Sequence, residues 1–250
     1  MKLSFPKALP KILLLICCAL FIGSVVVLSS GAQKITPVGS PVAEAKADTV
    51  KPPQGTTPVQ EPGSMSLLLE EAVKLEQQGR PAEAVGTYEK MVEAQPDRVE
   101  GYLRLGALYS SLGLTTKARE LYLQAVDRGI ADGPLYFNLG YIEEIRGDLP
   151  KALEYYLKAE EKQLKSAELF YNIGNVYAQM GDLDKALQYY TQSVSLNPHQ
   201  MDAFVNMSVV SFRKGNYADA DFYLYKATLL GYQAPDEYVK ALSEKLGKKP

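Results

Sequence analysis

The 250-residue chain is 46% hydrophobic and 22% charged, with 27 Lys plus Arg against 29 Asp plus Glu, one His, two Cys and no Trp. One histidine, and two cysteines standing side by side at Cys17 and Cys18, exclude zinc-type ligand sets, Cys–His chemistry and a disulfide-built fold. Residues 65–250 hold 21 basic against 26 acidic side chains, a balance of −5 that argues against a phosphate backbone as partner, so no nucleic acid is expected.

At the amino end, Lys2, Lys7 and Lys11 precede an uncharged stretch from Ile12 to Gln33, whose most apolar part runs from Ile12 to Leu28. That part lies at the lower edge of what crosses a ~30 Å hydrocarbon layer and exceeds the usual core of a signal peptide. Residues 1–32 are therefore expected to be a retained signal-anchor helix, with cleavage after the small residues Ser30, Gly31 and Ala32 as the alternative. Lysines before the span and none directly after it put the amino terminus inside and the remainder outside the cytoplasm. Cys17 and Cys18 read as small apolar residues, because Ala19–Leu28 continues the apolar run beyond any lipidation position. Residues 33–63 carry six prolines among Ala, Val, Thr and Lys, with no periodic apolar face, and are expected to form a disordered linker that holds the rest of the chain off the membrane.

From Met65 one sparse pattern recurs without insertion over the segments 65–98, 99–132, 133–166, 167–200 and 201–234. It aligns Gly79, Gly113, Gly147, Gly181 and Gly215 in one column, and Ala84, Ala118, Ala152, Ala186 and Ala220 in another. Leu68, Tyr102, Tyr136, Phe170 and Phe204 occupy position 4, while Tyr88, Tyr122, Tyr156, Tyr190 and Leu224 occupy position 24. In the fourth segment Phe170, Ile173, Tyr177 and Met180 form one helical stripe. Gly181–Asp182 suits a turn and an N-cap, and a second periodic run through Ala186, Leu187, Tyr190 and Val194 ends at Asn197–Pro198. Each segment is thus a helix-turn-helix. A glycine inside a helix costs roughly 1 kcal/mol relative to Ala, so Gly106, Gly140 and Gly174 need a packing reason, and close approach of the second helix supplies one. Gly129–Ile130 and Gly231–Tyr232 predict Schellman closures, whereas Pro96 and Pro198 stop the second helices of the first and fourth segments. Tyr238, Val239, Leu242 and Leu246 predict a capping helix within the last segment, 235–250.

This pattern resembles the tetratricopeptide repeat (TPR) family, and most closely in Phe170, Ile173, Gly174, Tyr177, Gly181, Ala186, Tyr190 and Pro198, with Val194 read in place of the second motif alanine. The first repeat departs most, with Glu71 and Ala72 where Leu-Gly belongs; terminal repeats often differ because one side meets solvent. The resemblance implies an all-α, right-handed superhelical TPR solenoid of five repeats plus the capping helix, with a concave groove lined by the first helices. It places Asn138, Asn172 and Asn206 at one groove position, a ladder of amides either able to bond an extended peptide backbone or simply solvated. Phe137, Tyr141, Tyr171, Asn175 and Phe212 add apolar grip, with Val205 and Val209 either lining the groove or packing against neighbouring helices, and Arg104 and Arg213 occupy outer groove positions. Leu69, Leu103, Phe137, Tyr171 and Val205 stand where relatives that clamp a terminal carboxylate carry basic residues, so an internal or amphipathic segment is the expected ligand.

No Walker loop, dinucleotide-type glycine cluster or metal-ligand spacing is present, and no enzyme activity, cofactor or metal is expected. The reading that results is a bacterial inner-membrane, single-pass adaptor with periplasmic repeats that binds a protein or peptide and supports assembly of an envelope complex. Release to the periplasm after cleavage near Ala32 is the alternative location. A self-associating structural protein, or a binder of a small ligand or glycan, are the alternative functions.

Overall fold

The computed structural model describes residues 62–130 and 132–247, in which eleven α-helices and no strand are found. Of the anchor and linker expected over residues 1–63, residues 1–61 lie outside the described residues, and the linker's last two, Pro62 and Gly63, belong instead to the first helix. The helices are α1 (Pro62–Gln77), α2 (Pro81–Ala94), α3 (Val99–Ser111), α4 (Thr115–Asp127), α5 (Gly133–Ile145) and α6 (Leu149–Glu161). They continue with α7 (Ala167–Met180), α8 (Leu183–Leu196), α9 (Met201–Arg213), α10 (Tyr217–Leu229) and α11 (Asp236–Lys245). The fold divides inside α7 into two compact units, one ending at Asn172 and the other beginning at Ile173.

In the unit up to Asn172, α1 pairs with α2, α3 with α4 and α5 with α6. Tyr88, Tyr122 and Tyr156 are almost completely buried on the second helix of each pair. They explain the helix-interior glycines: a Cβ built at Gly106 would stand 2.3 Å from Tyr122 Cζ, and one at Gly140 would stand 2.5 Å from Tyr156 Cδ1. The tyrosine therefore lies inside its own helix pair, across from the glycine, rather than in the space between successive pairs. The first repeat replaces this glycine with Ala72, fully buried, and puts Glu71 and Lys74 where later repeats carry buried Leu105, Leu108, Leu139 and Ile142. Polar residues at those two positions suit a face with no earlier repeat to cover it. Among the described residues of this unit one acid is buried: Glu143, at a position where the neighbouring repeat has Tyr109, accepts from Arg119 Nε at 2.6 Å and pairs with Arg146 Nε at 3.4 Å.

The second unit, from Ile173, repeats the plan with α8 against the later part of α7, then α9 and α10. Gly174 faces Tyr190, whose Cδ1 and Cε1 would both be 2.6 Å from an added Cβ. Asp182 caps α8, its Oδ1 accepting from Lys185 N at 3.1 Å after Gly181 turns with φ +88°. Counted from Met65, the column of the second motif alanine holds Ser193, not Val194: Ser193 is fully buried in the column of Ala125, Ala159 and Ala227 and its Oγ donates to Gln200 Oε1 at 2.7 Å. Helix α11 closes the carboxyl end by burying Leu242 against Ala220 and Leu224.

Helix ends show both devices read from the sequence, and one more. At Gly129, Ile130 N donates to Ala125 O at 3.0 Å and Gly129 N to Val126 O at 2.8 Å, the two bonds of a Schellman motif. Tyr232 and Gly231 form the same pair of bonds to Ala227 and Thr228. The third closure has no glycine: Gln163, with φ +62°, occupies the left-handed position while Leu164 N reaches Ala159 O at 3.1 Å.

Candidate functional site

The first helix of each pair carries the residues assigned to partner binding, and the structure sorts them by accessibility. On α3, Arg104 is half-buried and its Nε donates to Glu100 Oε1 at 3.1 Å, an ion pair along one helix face. On α5, Phe137 is buried with its ring 5.7 Å from that of Tyr156, and Asn138 is buried with Nδ2 donating to Tyr122 Oη at 3.2 Å. Tyr141, one turn on, stays half-exposed. Burial, together with the carboxylates of Glu144 and Glu168, raises its phenol above the ordinary tyrosine range. On α7 Tyr171 and Asn172 are both half-exposed. The Asn172 amide bonds the Tyr156 hydroxyl, which also donates to Glu144 Oε2 at 2.7 Å.

In the second unit Asn175 and Asn206 are buried and bonded together. Asn175 Oδ1 accepts from Tyr190 Oη at 2.8 Å and from Asn206 Nδ2 at 2.9 Å. Val205 is buried, and Val209 half-buried. Phe212 turns toward the carboxyl end, its ring 5.3 Å from Tyr217 and 5.5 Å from Tyr238. Arg213 is exposed, with Nη1 3.5 Å from Ala178 O.

The amide ladder thus has an internal use. Asn138 and Asn172 each bond the position-24 tyrosine of the repeat before them, and Asn206 joins the carboxamide that receives Tyr190. A buried phenol requires a hydroxyl partner, and these bonds also tie one repeat to the next. Sequence reading placed both columns but not their connection; the cue available was that the residue at position 24 is Tyr, and never Phe, in the first four repeats. On α5 and α7 of the first unit Tyr141, Glu144, Tyr171 and Asn172 are half-exposed and Glu168 is exposed, with Glu144 and Asn172 both bonded to the Tyr156 hydroxyl. Among the described residues no cluster of His, Cys, Asp or Glu could hold a metal ion.

Comparison with known proteins agrees with this architecture. Two family models, each described as tetratricopeptide repeat, match residues 69–134 and 167–200. Among solved structures, MamA is 27% identical over 68% of this chain and 96% of its own, with a TM-score of 0.59. YrrB, described as a TPR protein with an unusual peptide-binding site, is 25% identical over 71% of this chain and 90% of its own, with a TM-score of 0.58. Pseudomonas aeruginosa PilF is 19% identical over 74% of this chain and 85% of its own, with a TM-score of 0.63, a likeness of fold alone. No curated protein matches the chain significantly.

Proposed function

We propose that this chain of tetratricopeptide repeats is an adaptor that binds an internal, amphipathic segment of a protein partner on the first helices of its repeats. The observation that carries the proposal is the local patch on α5 and α7. Tyr141 and Tyr171 are half-exposed there, and burial, together with the carboxylates of Glu144 and Glu168, raises the Tyr141 phenol. Aromatic rings supply large contact area at small entropic cost, and acids around them favour a segment that carries Lys or Arg beside its apolar residues. A TPR fold that in YrrB is described with a peptide-binding site supports this class of ligand. Asn172 is the ladder amide with the most exposure, so it is the one best placed to meet a partner's backbone.

The same proposal sets the repeats outside the cytoplasm, tethered through residues 12–32, in the assembly of an envelope complex. The lysine asymmetry around the apolar segment supports that placement. Among the described residues no helix is long and apolar enough to cross a membrane. The test is affinity capture with the full chain against a Tyr141→Ala/Tyr171→Ala double variant. Loss of a defined co-purifying protein from the variant, with helical content unchanged, supports the assignment. Undiminished capture refutes it.

A further inference from the structure

Because the repeats share one register, the others serve as controls for each position of one. Position 13, near the end of the first helix, is Gln77, Ser111, Gln179 or Arg213 in four repeats but Ile145 in the third. Ile145 is 59% exposed. Phe137, Tyr141 and Ile145 follow one another at single turns along α5 and share a face, which passes from buried through half-exposed to exposed. The packing of the repeat does not require an apolar side chain at its exposed end, since α5 buries Leu135, Leu139 and Ile142.

Glu168, in the first turn of α7, carries the charge beside this face. Its carboxylate and that of Glu144 both act on the Tyr141 phenol. In the second repeat the acid at the same position 2, Glu100, is paired with Arg104 one turn on, at 3.1 Å. The fourth repeat has Asn172 where Arg104 would stand, so α7 offers Glu168 no such cation. A carboxylate in the first turn of a helix is ordinarily favoured by the helix dipole. Although solvent reaches Glu168, loss of hydration on its protein side outweighs that and pushes its carboxyl up. A cation arriving from outside would repay that loss, whereas an anionic lipid surface or nucleic acid would be repelled.

We propose that Glu168 receives a lysine or arginine of the partner segment, and that Ile145 receives an apolar residue of the same segment. This rests on the partner reading above and names the side chains that select the segment. Tyr141, one turn from Ile145 and within the field of Glu168, suits the apolar stem of the cationic residue.

The test uses the full chain in cells with a photoreactive residue at Tyr171. A discrete protein adduct is expected, and its crosslinked segment, identified by mass spectrometry, should carry Lys or Arg beside an apolar residue. Its yield should fall several-fold in Glu168→Gln and in Ile145→Gln. Glu168→Asp, which keeps the charge, should retain most of it, and Glu120→Gln, at an exposed acid of α4, should leave it unchanged. A discrete adduct that is indifferent to Glu168→Gln or to Ile145→Gln, that is no better retained in Glu168→Asp than in Glu168→Gln, or whose segment lacks Lys and Arg would overturn this proposal and leave the partner reading standing. No discrete adduct, or adducts only to lipid or to a second copy of this chain, would overturn both.

Discussion

Gly174→Ala tests the packing argument through its sign. Alanine is the better helix former by about 1 kcal/mol, so on propensity alone the variant would be more stable. The structure predicts the opposite. The new Cβ would lie 2.6 Å from both Cδ1 and Cε1 of Tyr190 and 3.2 Å from its Cγ, against the ~3.5–4.0 Å of comfortable carbon contact. The ring would have to retreat by about 1 Å, yet it is fully buried and its hydroxyl is held by Asn175 at 2.8 Å. Overpacking costs about 1–3 kcal/mol, and a ring held on all sides falls in the upper part of that range, about 2–3 kcal/mol, which leaves a net loss of about 1–2 kcal/mol once the propensity gain of about 1 kcal/mol is subtracted. At ~2–4 °C per kcal/mol for a chain of this size, Tm should fall by about 2–8 °C. Gly86→Ala is the matched control. Gly86 is also inside a helix, but nothing lies within 4 Å of its added Cβ, so this variant should gain up to about 1 kcal/mol. Thermal unfolding followed by far-ultraviolet circular dichroism measures both. A Gly174→Ala protein as stable as the parent, or equal losses in the two variants, would refute the reasoning.

At Gln163 the left-handed backbone, φ +62°, carries a side chain where Gly129 and Gly231 do the same work without one. Gln163→Gly should therefore raise stability by about 1 kcal/mol, read as a higher urea midpoint with the slope unchanged. The tyrosines set an alkaline limit. Burial pushes up the phenols of Tyr122 and Tyr156, and burial together with the Glu89 hydrogen bond pushes Tyr109 up to about 12. Since the unfolded chain releases these protons near pH 10, the folded state binds more protons above that pH. Their contribution is complete below about pH 10 and is lost as pH rises through the folded values. Denaturation midpoints should fall from pH 10 upward, with a late tyrosinate absorbance appearing only on unfolding. A flat profile between pH 9 and 12 would contradict this.

The elements were legible because their signals are local. The Gly181–Asp182 turn and cap, the Gly129 and Gly231 closures and the helix at Tyr238–Leu242 each depend on a few adjacent residues whose backbone or capping chemistry admits little else. The glycines at 106, 140 and 174 announced a close approach, but their partner was a ring 16 residues on, and sequence columns do not say which column a side chain faces. The same gap affects the candidate site. Asn138, Asn175 and Asn206 were correctly placed on first helices, yet the tyrosine hydroxyls and neighbouring amide that engage them come from other repeats or from later helices. Phe212 was assigned to the groove by position, while its contacts with Tyr217 and Tyr238 depend on how the last repeat is closed. Gln163 escaped notice because nothing in a glutamine suggests a positive φ.

The central claim is that a protein partner docks on the first helices of the repeats and not on the second. In-cell photocrosslinking from Tyr171, half-exposed on α7, compared with Gln188, exposed on α8, tests it most directly. A discrete adduct to another protein from Tyr171 and none from Gln188 is the predicted result. Equal labelling from both positions, or adducts from Tyr171 only to the chain itself, would contradict it.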